Sequence, residues 1–163
     1  MIFIKLINQN NFDNKSIVIG IYKGIGDFFN ALPILTNISK KYNLKIAISP
    51  EVYSVVKLFD VKLDLIIYDS NKFTNIFYFL YDLEKIRPDF FIFSPHATSF
   101  KPSFKIPFFF FILKFINIKS IASRREKFIF LFSNTIKLNS YSSIFLNELN
   151  FFKSLFNFNS NFE

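Results

Sequence analysis

Short runs of apolar residues alternate along the chain with longer segments in which apolar residues recur every three or four positions. The short runs are typical of buried strands, and the longer spacing is typical of helices. Strands are predicted at residues 16–22, 45–48, 63–68 and 90–93, and helices at residues 28–42, 50–58 and 71–86. Because the strands are apolar throughout and helices follow them, the pattern predicts an α/β fold with a doubly wound parallel sheet covered on both faces.

The second half of the chain is harder to assign, because its apolar runs fit the helical and the strand period equally well. It predicts a helix at 104–115, a strand at 120–122, a helix or strand at 125–132 and a closing amphipathic helix at 143–156. Residues 2–7 could form an edge strand or a loose arm. The domain prediction is therefore an arm or edge strand at 1–14, one domain at 15–156 and a tail at 157–163.

The hydrophobic content of 51% raises the question of a membrane span. The longest apolar run, 107–113, lies between Lys105 and Lys114, whereas a span needs about 20 apolar residues. This run predicts a buried or sheet-covering helix, with docking on an acidic bilayer surface as the alternative. The amino terminus has no basic segment before its apolar stretch, so we expect no signal peptide and a cytoplasmic protein.

Cysteine is absent and His96 is the only histidine, which excludes disulfides, thiolate nucleophiles, zinc–thiolate sites and histidine clusters. Acidic residues show no spacing typical of metal ligands. We therefore expect neither a metal nor a cofactor. The net charge of +8 favours anionic partners such as phosphates or acidic lipids. Lys101 and Lys105 are candidates for contact with anionic headgroups. Nucleic acid is not expected, because no recognition-helix spacing, aromatic RNA-binding motif or arginine stripe is present.

All three glycines, Gly20, Gly24 and Gly26, lie within one seven-residue window that is followed at once by Asp27. The chain is rich in Phe, Ile, Asn and Lys and poor in glycine. We therefore expect the backbone to require these three glycines, either for positive φ or for the close approach of another group. In an open parallel sheet, the loop after the first strand is commonly one wall of the ligand crevice. The sequence therefore predicts the functional site at this loop.

Other residues near this loop have two interpretations each. Lys23 could hold a phosphate or simply be solvated, and His96, after the fourth predicted strand, could contact substrate at the same sheet edge or be incidental. The dinucleotide fingerprint requires glycine at position 29, where Phe29 stands, and no Walker lysine pattern fits. A nucleotide-dependent oxidoreductase is therefore disfavoured.

Asp27 also has two interpretations. It could be the N-cap of the following helix, accepting a backbone N–H bond worth about 1 kcal/mol. Alternatively it could be a general base, kept ionised by the positive end of the helix dipole. The same stabilisation would make it a weak base, which implies a rate contribution near the lower end of about 10²–10⁴.

The motifs that follow one another along the chain resemble those of glycosyltransferase family 9, the ADP-heptose:lipopolysaccharide heptosyltransferases. In that family the first strand leads into a Gly-Asp turn and then a helix with a Leu-Pro pair, matched here by Gly26-Asp27 and Leu32-Pro33. The resemblance covers about residues 15–156. Its further motifs are Asp64-Leu65-Ile66-Ile67-Tyr68-Asp69, Arg87-Pro88-Asp89-Phe90, Ser94-Pro95-His96-Ala97, Ser123-Arg124-Arg125-Glu126 and Phe130-Leu131-Phe132.

This resemblance implies a GT-B arrangement of two Rossmann-like domains, the amino-terminal one binding a lipid-linked saccharide acceptor. It implies that Asp27 is the base of a metal-independent, inverting sugar transfer. It also implies that Arg125, beside Glu126, contacts acceptor phosphate, although neighbouring Arg124 competes for that role. The predicted site therefore consists of Asp27 and Arg125 together with Lys23, Gly24, Gly26, His96 and Lys101.

The family's members are about twice as long as this chain, so we expect its resemblance to cover the amino-terminal domain and not the nucleotide-sugar domain. The sequence therefore predicts the amino-terminal half of a GT-B glycosyltransferase, peripheral on the inner face of the cytoplasmic membrane. We expect a carboxy-terminal domain to bind an ADP-heptose-like donor. A separate partner chain could carry that domain. This half alone is expected to be inactive. The alternative is a non-catalytic or vestigial Rossmann-like binding module.

Overall fold

The computed structural model of the protein describes residues 12–69, 74–94, 105–123, 134–136 and 144–156. Within these ranges, strands and helices largely alternate along the chain. In order they are β1 (Ser16–Tyr22), α1 (Ile25–Ser39), β2 (Asn43–Ile48), α2 (Pro50–Val56), β3 (Asp64–Ile67), α3 (Thr74–Ile86), β4 (Phe90–Phe93), α4 (Lys105–Phe115), β5 (Lys119–Ser123), β6 (Asn134–Ile136) and α5 (Ile144–Leu155).

The described strands form one parallel sheet in the order β3-β2-β1-β4-β5-β6. The chain runs outward from β1 through β2 to β3, then returns to place β4 on the other side of β1. The strand order therefore reverses between β1 and β4, which is the Rossmann-like arrangement. In such sheets the crevice that binds ligands opens beyond the carboxyl ends of the strands at this reversal.

The sheet is covered on both faces, because alternate side chains of each strand point to opposite sides. Ile17 and Ile19 of β1 pack into the core formed with α1, α2 and α5. Val18, between them, packs into the second core, formed with α3 and α4. Phe12, ahead of β1, is also fully buried, with its ring centroid 4.8 Å from that of Phe90 and 4.9 Å from that of Phe156.

The predicted fold class and most predicted elements are confirmed. β1 and β4 match their predicted bounds, and α2 begins at Pro50, where the side chain of Ser49 caps it by accepting from the Val52 N–H at 3.3 Å. The three-residue strand β6 was not predicted, because it has no apolar run. Residues 2–7 and 125–132 lie outside the described ranges, so their predicted strand or helix stays a prediction.

The first helix differs from its predicted position by three residues at each end. It was predicted at 28–42 and spans Ile25–Ser39. Tyr42, which was assigned to the helix because of its spacing, is still buried, with its ring 5.1 Å from that of Phe156. Burial in the core just before β2 therefore explains why position 42 is apolar. Its helical spacing led to the wrong prediction of where α1 ends.

The phenylalanine-rich helix α4 covers the sheet, as predicted. Phe109 and Leu113 are buried, and the Phe109 ring stacks at 5.8 Å on Phe79 of α3. The opposite side of the helix is open, since Phe111 is 62% exposed and Phe115 is 81% exposed. Of the helices in the described ranges, none combines the length and the apolar character that crossing a bilayer would require.

Candidate functional site

The loops at the carboxyl edge of the sheet are joined by hydrogen bonds to buried serines. Ser49, after β2, donates its backbone N–H to the carbonyl oxygen of Tyr22 at 2.8 Å and its hydroxyl to that of Lys23 at 3.3 Å. Ser94, after β4, donates its backbone N–H to the carbonyl oxygen of Gly20 at 2.6 Å. The ends of β1, β2 and β4 are thereby held together beneath the loop from Lys23 to Asp27.

The glycines of this loop do not adopt positive φ, so that part of the prediction is wrong. Close approach accounts for two of them. A β-carbon on Gly20 would lie 2.6 Å from the Ala47 β-carbon and 2.9 Å from the Ala47 carbonyl oxygen, where the pairing of β1 with β2 is irregular. A β-carbon on Gly24 would lie 2.7 Å from Oδ2 of Asp27, whereas one on Gly26 would meet nothing within 4 Å.

Asp27 is the third residue of α1, because the helix begins at Ile25 and its N-cap is Gly24. The interpretation of Asp27 as the N-cap is therefore wrong. An acid in the first turn is still stabilised by the positive end of the helix dipole. The Asp27 side chain is half-buried, and its carboxylate turns back over Gly24. Asp27 is thus partly open to solvent while its carboxylate rests against the backbone of the loop.

A buried carboxyl group lies below this loop. Glu148 of α5 is fully buried, and its Oε1 accepts a hydrogen bond of 2.6 Å from the Tyr22 hydroxyl at the end of β1. The same oxygen accepts a longer hydrogen bond, 3.5 Å, from the hydroxyl of Ser94. Glu148 therefore connects α5 to the carboxyl ends of the two strands between which the strand order reverses.

Burial dominates the electrostatics of this cluster. Burial raises the pKa of Glu148, the hydrogen bond from Tyr22 lowers it, the negative charge of Asp27 raises it and the hydrogen bond from Ser94 lowers it. The net result is a pKa of about 8. The pKa of Tyr22 is raised well above its ordinary value, first by burial and then by Glu148. At neutral pH the Glu148 carboxyl is therefore mainly protonated, and Tyr22 remains a neutral phenol.

The predicted site residues divide into two groups. Lys23, Gly24, Gly26 and Asp27 lie together in the β1–α1 loop and the first turn of α1, with the Lys23 side chain half-buried. The others, His96, Lys101 and Arg125, lie outside the described residues, and their roles stay predictions. Among the described residues no group of three His, Cys, Asp or Glu side chains is placed to hold a metal ion.

Glu148 was missed by the sequence reasoning, although the sequence holds a signal for it. The positions three and four residues before and after it, and seven after it, are Ile144, Phe145, Phe151, Phe152 and Leu155. An acid at the centre of the apolar stripe of an amphipathic helix is unusual, because ionisable side chains are rarely fully buried unless they have partners. That position in the sequence predicts that the Glu148 carboxyl is buried and has polar partners.

The fold is similar to that of a glycosyl transferase family 9 protein from Veillonella parvula DSM 2008. The structural match has a TM-score of 0.59 and 16% sequence identity, and covers 85% of this chain. The chain spans only 41% of the length of that structure. No protein-family model and no curated protein matches the sequence. At this identity the likeness demonstrates a shared fold alone, a Rossmann-like α/β arrangement.

Proposed function

We propose that this chain is the acceptor-binding part of a GT-B glycosyltransferase that transfers a sugar from a nucleotide-sugar donor to a lipopolysaccharide core-type, lipid-linked acceptor. The observation that carries the proposal is the half-buried Asp27 in the first turn of α1, beyond the carboxyl end of β1. Its place in a fold similar to a glycosyl transferase family 9 structure supports this function.

In the proposed reaction, Asp27 is the general base. The acceptor hydroxyl oxygen attacks the anomeric carbon of the donor sugar as its proton passes to the Asp27 carboxylate. The bond from that carbon to the diphosphate oxygen breaks, and the nucleoside diphosphate leaves with the electron pair. Attack opposite the leaving group inverts the anomeric centre. Because a carboxylate is a weak base, Asp27 assists when the attacking hydroxyl has become acidic late in the step.

Anionic groups of the acceptor would meet the start of α1. A β-carbon on Gly26 would meet nothing within 4 Å, so a phosphate could approach the first turn of the helix closely on this side. The positive end of the helix dipole and the lysine charge of Lys23 both favour such a group. His96, Lys101 and Arg125 are proposed as further acceptor contacts, and Arg125 follows from the family resemblance alone.

The donor would be held by a second domain, which in this proposal binds an ADP-heptose-like nucleotide sugar. The solved structure with the similar fold extends well beyond the part that this chain matches. We propose that a carboxy-terminal domain, from the same longer protein or from a separate chain, faces the carboxyl edge of the sheet and completes the cleft.

The lipid-linked acceptor would bring the protein to the inner face of the cytoplasmic membrane. The open sides of α3 and α4 carry exposed aromatic side chains, which we call the aromatic face: Phe77, Tyr78, Tyr81, Phe111 and Phe115. Phe77 contacts Phe108 with ring centroids 5.9 Å apart, which joins the two helices, and Lys85 lies 4.2 Å over the Tyr81 ring. Aromatic rings beside lysines suit the interface of an anionic bilayer, as does the net charge of +8.

The proposal is tested by incubating the chain, with and without the product of the neighbouring reading frame, with labelled nucleotide sugars and a truncated lipid acceptor. We expect transfer only with both proteins present. Asp27→Asn should reduce the rate about 100-fold, whereas Asp60→Asn, which changes an exposed acid after α2, should not. Equal rates for the native protein and Asp27→Asn would remove the base role. Acceptor binding without transfer would instead indicate a non-catalytic binding module.

A further inference from the structure

Asp69 and Asn75 form a polar pair at the carboxyl edge of the sheet, beyond β3. The side-chain amide of Asn75 donates a hydrogen bond of 3.1 Å to Oδ2 of Asp69. Asp69 is the second residue after β3, and Asn75 is the second residue of α3. Both residues are half-buried, so the pair is partly open to solvent. The proposed function assigns no role to it.

Buried neighbours hold both members of the pair in place. Tyr68, directly before Asp69, is buried, and its ring centroid lies 4.5 Å from that of Phe79 in α3. Ile76, directly after Asn75, is buried in the same core. Because packing fixes the residue beside each side chain, the carboxylate and the amide are presented in a preformed arrangement.

Backbone pairing places the end of β3 level with the start of the β1–α1 loop. Tyr22 of β1 pairs with Ile48 of β2, and Ile48 pairs with Ile67 of β3. The ladder continues past the strand ends, because Ser49 donates its backbone N–H to the Tyr22 carbonyl and Tyr68 donates its own to the Ile48 carbonyl, each at 2.8 Å. Neighbouring parallel strands lie about 4.8 Å apart, so the two connections are separated by about 10 Å along the carboxyl edge.

The chemistry of the pair suits the hydroxyl groups of a saccharide. A carboxylate accepts hydrogen bonds at both oxygens, an amide both donates and accepts, and each sugar hydroxyl can also do both. The two ends of the edge differ in charge. Lys23 and the start of α1 favour a phosphate near β1, whereas the carboxylate of Asp69 disfavours one near β3 and favours neutral hydrogen-bond donors.

We propose that Asp69 is a specificity-determining residue that binds hydroxyl groups of the acceptor saccharide, and that Asn75 is the positioning residue for its carboxylate. This proposal rests on the proposed function, because it assigns a further part of the same acceptor site. The saccharide would lie along the carboxyl edge, with its phosphate toward Lys23 and its hydroxyls toward Asp69. A site built to hydrogen-bond a hydroxyl rejects a ligand that lacks it, so Asp69 would select among acceptor sugars.

Calorimetric titration of the full chain tests this proposal without any sugar transfer. The probe is a deacylated, phosphorylated lipopolysaccharide core oligosaccharide, compared with analogues in which one hydroxyl of the terminal sugar is replaced by hydrogen. The native protein should bind at least one analogue about tenfold more weakly than the probe, because a hydrogen bond to a charged group is lost. Asp69→Asn should weaken binding of the probe to a similar degree and should no longer distinguish that analogue.

Three further variants separate recognition from folding, which urea unfolding checks for each. Asp64→Asn changes an exposed acid, paired with Lys45, at the opposite end of β3 and should bind like the native protein. Asn75→Ala keeps the Asp69 carboxylate but removes its hydrogen bond, so it should bind the probe about threefold more weakly and still distinguish the analogue. Asp69→Glu keeps the charge and moves the carboxylate outward, so it should lose the discrimination even if Asp69→Asn fails to fold.

The outcomes distinguish this proposal from the proposed function. Equal binding by the native protein and Asp69→Asn, or an equal loss for the probe and every analogue, would overturn the role of Asp69 alone. If discrimination depends on Asp69 but no sugar is transferred in the presence of the donor domain, the proposed function fails and the saccharide site stands. Absence of probe binding by the native protein would overturn both.

Discussion

The carboxylate of Asp27 occupies the space that a side chain on Gly24 would need. A β-carbon built on Gly24 would be 2.7 Å from Oδ2 of Asp27. The backbone of Gly24 is extended, with φ −87° and ψ 133°, so other residues could adopt its conformation. The absence of a side chain at Gly24 therefore serves the placement of the carboxylate and not the path of the chain.

Gly24→Ala should move the Asp27 side chain and lower sugar transfer at least tenfold. Its effect on folding should be small, about 0.5–1 kcal/mol, because alanine is a poorer N-cap than glycine and the clash is with the end of a side chain. Gly26→Ala is the matched control, since nothing lies within 4 Å of the added carbon. It should be neutral or stabilise the helix by up to about 1 kcal/mol. Urea unfolding and the transfer assay measure both variants, and equal activity of the two would contradict the role given to Gly24.

Gly20→Ala should destabilise the protein through overpacking, by about 1–3 kcal/mol. The added carbon would meet both the β-carbon and the carbonyl oxygen of Ala47 on the adjacent strand. Adding Ala47→Gly should recover only part of the loss, because the carbonyl oxygen, 2.9 Å away, remains. A double-mutant cycle by urea unfolding tests this. Full recovery in the double variant would show that the backbone contact is unimportant.

Glu148 should make folding stability fall as the pH rises. Its pKa is about 8 in the folded protein against an ordinary 4.5, so between these values the unfolded chain has released the proton that the folded chain keeps. The free energy of unfolding should therefore decline across this window by a few kcal/mol, and this penalty is absent below 4.5. Glu148→Gln should remove the decline, while Asp60→Asn, at an exposed position, should retain it. Urea unfolding at several pH values within the window makes the comparison, and parallel curves for the native protein and Glu148→Gln would refute it.

The aromatic face should bind anionic vesicles. Phe111→Ser combined with Phe115→Ser should weaken binding at least tenfold in a flotation assay, because each buried ring contributes hydrophobic free energy of roughly 1.5–3 kcal/mol. Leu58→Ser removes a side chain that is 75% exposed after α2, outside the aromatic face, and should have little effect. Binding should also weaken as salt screens the lysine charges. Equal loss of binding in the double variant and in Leu58→Ser would argue against this face as the docking surface.

The predictions made from the sequence succeeded where the local pattern and the packing agree. The runs that became β1 and β4 are apolar because both of their faces are covered, and α4 was predicted as a sheet-covering helix from its apolar run. They failed where one pattern had two causes. Tyr42 fits the helical period of α1 but is buried just before β2. A further failure had a different cause, because the three-residue strand β6 contains no apolar run that could mark it.

The amino-acid sequence by itself determined the doubly wound α/β class and the location of the loop containing Asp27, because hydrophobic periodicity and glycine placement are local properties. Only the tertiary structure decided what surrounds that carboxylate. Tyr22 and Glu148 are 126 residues apart and share a hydrogen bond of 2.6 Å. The strand order that brings them together arises from long-range pairing and helix packing, and the resulting burial gives an ordinary glutamate a pKa of about 8.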